Sequence, residues 1–138
     1  MSGEDEEYDR CYGCGQGNSR GLQMRFEHRE GGALCRYTVA DHLAGAPGVI
    51  HGGVQAALLD EVMGHAIHFA DPDPELDTVT VEFSLRYRRP APVAVPLEIR
   101  GRLVRAEGRD FFVAGEIASP AGNVFTTAEA RWRRIRRG

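Results

Sequence analysis

HGGVQAALLDEVMGHAIHFADPDP, residues 51–74, is the stretch on which the fold turns. Val54, Ala56, Ala57, Leu58, Leu59, Val62, Met63, Ala66, Ile67 and Phe69 make it apolar almost all round. A helix with so few polar positions is enclosed by the rest of the chain rather than laid on its surface. Asp71-Pro72-Asp73-Pro74 stops it, because proline lacks the N–H a helix needs and pushes the residue before it out of helical angles.

On both sides of this helix the period changes from helix to strand. Upstream, Leu22, Met24 and Phe26 alternate with Gln23, Arg25 and Glu27. Glu30-Gly31-Gly32 signals a hairpin, with Ala33 to Val39 as the return strand. Downstream, Thr78 to Arg88 alternates with Val79, Val81, Phe83, Leu85 and Tyr87 on one face. After a connection marked by Pro90, Pro92 and Pro96, strands are expected over Leu97–Ala106, Phe111–Ala118 and Val124–Trp132. Short turns between successive strands predict a four-stranded antiparallel meander. One helix covered by a sheet that curls round it is an α+β architecture.

The chain has 138 residues, enough for one domain. Residues 1–10, MSGEDEEYDR, read as a disordered acidic lead-in, and 11–138 as a single domain. With 42% apolar and 27% charged residues the chain can build a core without disulfide or metal. A net charge of -3 argues against a nucleic-acid partner. No apolar run approaches the ~20 residues of a membrane helix, and the N-terminus lacks the pattern of a signal peptide. Three cysteines, Cys11, Cys14 and Cys35, read as reduced thiols in a cytoplasm. Transporters, disulfide-stapled miniproteins and repeat arrays are thereby excluded. The tail RWRRIRRG, with five of the arginines, reads as a frayed basic end.

The head of the helix carries the chemistry. Its first turn presents unpaired N–H groups and the positive end of the macrodipole, and Gly52 and Gly53 let another molecule approach the backbone closely. Such a place can hold a carbonyl oxygen on which negative charge develops. Asp60 lies among Leu58, Leu59 and Val62, where a carboxylate is costly without a partner or a task. Gly-Gly also serves plain loop closure, His51 can act as a cap, and buried carboxylates also serve structural networks. About two helical turns, on the order of 10 Å, separate Gly53 from Asp60. One helix therefore cannot bring both to one carbonyl, whereas antiparallel helices of two copies can. A homodimer is thus part of the expected mechanism.

HGGVQAALLDEVMG resembles the helix motif of the PaaI-type hotdog-fold acyl-CoA thioesterases. CYGCGQGNSRGLQMRF, GAPGVIHGG and TVTVEFSLRYRRP resemble the family's lead-in, loop and strand, so the likeness covers roughly residues 11–133. The resemblance implies a hotdog fold, one long helix wrapped by a curved antiparallel sheet, in dimers often paired into tetramers. It implies hydrolysis of a small or medium acyl-CoA, aromatic or aliphatic, with no cofactor. Asp60 then acts as base or nucleophile, Gly52 or Gly53 polarises the thioester carbonyl, and Thr80 places the water or the Asp. His51 heads the same catalytic set. Many relatives carry Asn or Gln in the loop before HGG; here His42 is the available substitute. A ligand-binding hotdog protein without catalysis, and a hotdog hydratase using His42 with Asp60, are the competing readings.

Arg88, Arg89 and Arg109 are candidates for the phosphates of coenzyme A, beside the alternative that they are solvated strand ends. Glu61, His65 and His68 share a helix face, and Glu61 is a rival base or substrate contact pointing about 100° from Asp60. As a metal site that face lacks a fourth ligand, and Cys11-x-x-Cys14 lacks a second pair. No metal is expected.

Overall fold

Helix α1 (Gly52–Ala70) forms where the apolar run predicts it. In the computed structural model, which describes residues 9–135, no residue from Val54 to Ile67 is exposed. Leu58, Leu59, Val62, Met63, Ala66 and Ile67 are wholly buried. Each large apolar side chain so placed contributes about 1.5–3 kcal/mol. His51 caps the helix, its Nδ1 accepting from the Gly53 N–H at 2.9 Å, and the last turn closes with the Asp71 N–H donating to the Ile67 carbonyl at 2.9 Å.

Six strands wrap the helix: β1 (Glu27–Arg29), β2 (Gly32–Thr38), β3 (Asp77–Tyr87), β4 (Pro96–Glu107), β5 (Asp110–Ala118) and β6 (Val124–Ile135). They form one antiparallel sheet in the order β1-β2-β4-β5-β6-β3. The expected four-strand meander is therefore only three strands long, β4-β5-β6. β3 pairs with β6 at the far edge, and the proline-marked segment after β3 carries the chain back across the sheet to β2. Turn signals show that neighbours in sequence are antiparallel; they do not show where a proline-broken connection lands.

A row of small residues lets the helix approach. Ala33 pairs with Gly101, Gly101 with Gly115, and Gly115 with Ala128. A Cβ at Gly101 would stand 2.8 Å from the Val62 carbonyl oxygen, and one at Gly115 would stand 3.2 Å from Leu59 and Met63 side-chain carbons. The groove thus exists because these two strand positions have no side chain.

Two smaller expectations are corrected, and a third lies mostly outside the described residues. Leu22–Phe26 keeps its alternating burial but pairs with no strand; its place is fixed by single bonds, Leu22 N–H to the Tyr12 carbonyl at 2.7 Å and Met24 N–H to the Gly13 carbonyl at 2.9 Å. The lead-in falls outside the described residues except for Asp9 and Arg10, and these are held: Asp9 accepts from the Gly17 N–H at 3.0 Å and the Arg10 carbonyl from Asn18 at 3.2 Å. The basic tail is not frayed as far as Ile135. Arg131 and Arg133 pair with Asp110, and Arg134 with Asp71 and Asp73.

Candidate active site

Asp60 projects from the middle of α1 and is half-buried. The Thr80 hydroxyl of β3 donates to its Oδ1 at 2.8 Å. Burial pushes the Asp60 carboxyl above the usual aspartate value, and the Thr80 hydrogen bond pulls partly against that. The result is a carboxylate in a fixed orientation, less solvated than in water and correspondingly more basic.

A β-bulge sets up this contact. The β3–β6 register shifts between Thr80, opposite Trp132, and Glu82, opposite Arg131. Directly paired residues lie on the same face of an antiparallel sheet. Thr80 therefore shares the helix-side face with Phe83 and Leu85, which pair with the buried Ala130 and Ala128. The simple alternation of the sequence puts Val79 and Val81 on that face instead; the structure leaves them 41% and 38% exposed.

At the head of the helix the two glycines differ. The Gly53 N–H is taken up by His51 Nδ1, so in this chain His51 acts as the helix cap and the Gly53 N–H is engaged by it. No hydrogen bond among the described residues takes up the Gly52 N–H. The Tyr87 hydroxyl donates to the Gly52 carbonyl at 2.9 Å, and a Cβ on Gly52 would stand 3.3 Å from that hydroxyl. Gly52 and Asp60 remain roughly 12 Å apart along the axis at 1.5 Å per residue, so one chain does not join them.

The other expected residues do not gather round Asp60. His42 sits exposed in a 3-10 turn (Asp41–Leu43), and no contact pairs it with Asp60. Glu61 is engaged elsewhere, accepting from Cys11 Sγ at 3.3 Å. Burial raises its carboxyl as well. Its predicted partner His65 has Nε2 3.8 Å from Oε2; burial holds that imidazole down at about 4, while His68 is exposed. Arg88 and Arg89 follow Tyr87, both N–H groups donating to the Phe125 carbonyl. Arg109 lies at the other end of β6, where its guanidinium donates to the Arg134 carbonyl at 3.2 Å. About nine residues of strand, roughly 30 Å, separate the two groups, so they form no single phosphate clamp within one chain.

Two residues of the site escaped the sequence reading. Gln55 is buried; its Nε2 donates to the Ile50 carbonyl at 2.9 Å and its Oε1 accepts from Thr126 at 2.5 Å. That clamp fixes the helix head between the preceding loop and β6. Its signal was available, an amide inside an apolar run. Tyr87 gave none, because its aromatic ring fits the alternation of any strand.

A profile of the thioesterase superfamily matches residues 47–126, more than half of the chain. The chain belongs to the thioesterase superfamily. This thioesterase-superfamily chain is 27% identical over 86 residues to bovine (Bos taurus) acyl-coenzyme A thioesterase THEM4, covering 62% of itself and 33% of that protein. It thus spans about a third of the length of that curated relative. Among solved structures it is similar to protein RHA08564, a thioesterase superfamily protein, with TM-score 0.79 and 32% identity over 86% of this chain and 57% of that one. The Escherichia coli PaaI protein of the phenylacetic acid degradation operon shares the fold, with TM-score 0.72 and 18% identity over 83% and 80% of the two chains. The fold is accordingly the hotdog fold, and the likeness to PaaI-type proteins holds.

Proposed function

We propose that this protein hydrolyses acyl-CoA thioesters in active sites shared between two copies. The observation that carries the reading is the 2.8 Å bond from Thr80 to Asp60 in a half-buried setting. Membership of the superfamily and the likeness to a named acyl-CoA thioesterase support the same chemistry. Asp60, oriented by Thr80, attacks the thioester carbonyl or deprotonates the water that does. The Gly52 N–H of a second copy, with the positive end of its helix behind it, stabilises the oxyanion. The departing thiolate is a modest base, so no strong general acid is required.

The place of β3 in the sheet supports the dimer. This strand is the last of the sheet, and one edge of it pairs with nothing among the described residues. Thr80 stands near its start and Tyr87 at its end. An antiparallel β3–β3 pairing about a two-fold through Ser84, with Val81 bulged out of the ladder, sets Phe83 opposite Leu85 and places the Asp60–Thr80 end of one copy beside the Tyr87–Gly52 end of the other. Arg88 and Arg89 then lie at the same interface, in place to meet the coenzyme's phosphates. Val79 and Val81, on the outer face, add apolar surface that a tetramer covers. Three cysteines without a disulfide suit a reducing cytoplasm, and no described helix is long and apolar enough to cross a membrane.

The test is thiol release from a panel of aromatic, short and medium acyl-CoAs. Turnover by the native protein that Asp60→Asn abolishes supports the reading. Tight acyl-CoA binding without thiol release would make the protein a carrier instead.

A further inference from the structure

In the sequence, Cys11-x-x-Cys14 and the Glu61/His65/His68 face are two separate, incomplete sets of metal ligands; the fold brings members of both together. Cys11 Sγ lies 3.3 Å from Glu61 Oε1, and the ligand atoms of Cys11, Cys14 and Glu61 all lie within 4.8 Å of one another. All three residues are half-buried, and no other such group occurs among the described residues. His65, one turn along α1, has Nε2 3.8 Å from Glu61 Oε2. We propose that Cys11, Cys14 and Glu61 bind a zinc ion, with water completing its coordination, and that the ion clasps the N-terminal segment to the catalytic helix.

The donor set selects the metal. Two thiolates exclude magnesium and calcium, which take oxygen ligands, and two thiolates with a carboxylate are a zinc combination. Around tetrahedral zinc, with Zn–S ≈ 2.3 Å and Zn–O ≈ 2.0–2.2 Å, ligand atoms stand roughly 3.3–3.8 Å apart. The Cys11–Glu61 separation already meets that, and small side-chain rotations bring in the rest.

The backbone holds the ligands ready. The Gly15 N–H donates to the Cys11 carbonyl at 2.9 Å, closing a turn that places both thiols on one side. The Tyr12 and Gly13 carbonyls accept from Leu22 and Met24, whose side chains are buried in the core. Gly13 itself rests against Glu61: a Cβ there would be 2.0 Å from the Glu61 Cγ. A turn that served only to reverse the chain would not need its middle residue stripped of a side chain to admit a carboxylate between two thiols.

The ion takes no part in the thioester chemistry proposed above, and its test uses no hydrolysis readout, so the two ideas fail separately. The untagged full chain is purified without added metal and its zinc content measured, then the zinc is exchanged for cobalt(II). Stoichiometric zinc, a thiolate-to-cobalt charge-transfer band and tetrahedral d–d absorption are expected. Glu61→Gln should keep the thiolate band and weaken zinc binding by at least about tenfold. Chelation should lower the melting temperature and expose Cys11 and Cys14, but not the buried Cys35, to alkylation. If Glu61→Gln does not fold, alkylation of the native protein with and without zinc decides. Failure to hold zinc against a micromolar chelator, cobalt bound without the charge-transfer band, or alkylation of Cys11 and Cys14 unaffected by zinc would overturn the proposal.

Discussion

Asp60 carries two opposed contributions, burial that raises its carboxyl and a hydroxyl that lowers it. Asp60→Asn should keep the fold and lose roughly 10²–10⁴ in kcat, the scale of a general base. Thr80→Val removes a hydrogen bond to a charged group, about 1.5–3 kcal/mol, and should cost roughly 10- to 100-fold in kcat with KM little changed. Steady-state kinetics on both variants check this; a Thr80→Val enzyme at native speed would remove Thr80 from the site. The raised carboxyl also has a consequence for stability. Because the folded state favours the neutral form, stability is highest below the unfolded-state value and declines as pH rises through the folded one. Asp60→Asn should therefore melt higher than the native protein at neutral pH, with the difference shrinking toward acid. Thermal unfolding across that range reads the sign directly, and a variant that melts lower at neutral pH would mean the Thr80 bond outweighs burial.

The elements are held by close approach as much as by apolar area. Gly101→Val must push a branched side chain against the Val62 carbonyl, which a Cβ alone would meet at 2.8 Å. A loss of about 1–3 kcal/mol is expected, against almost none for Val104→Thr on the exposed face of the same strand. Denaturant melts of the two variants make the comparison. Elements were the most legible part of the sequence. The helix, its cap at His51 and its stop at Asp71-Pro72 are local matters that a few neighbouring residues decide. The β3 bulge was not legible, because Val79, Val81, Phe83, Leu85 and Tyr87 alternate perfectly while the ladder inserts one residue among them. The site was legible in part for the same reason. Asp60 announces itself as a charge in an apolar run, whereas Glu61 meets Cys11 only because the fold brings together residues fifty positions apart.

At the scale of the whole molecule, the chain ends its sheet on the strand that bears half of the proposed site. β3 holds Thr80 against Asp60 and Tyr87 against Gly52, with the two contacts at opposite ends of the strand. The strand order, which puts β3 at the edge, was hidden behind the proline-broken connection; the spacing of Gly53 and Asp60, on which the proposal of a second copy rests, stands in the sequence itself. Sedimentation should give a dimer or tetramer, and an active 15.2 kDa monomer would contradict the shared site. The most direct measurement is complementation. Asp60→Asn and Gly52→Val proteins, each inactive alone, are mixed, unfolded and refolded together. A hybrid dimer joins one intact Asp60 to one intact Gly52, so random pairing should restore about a quarter of native thiol release. A refolded mixture no more active than its two parents would contradict the shared active site.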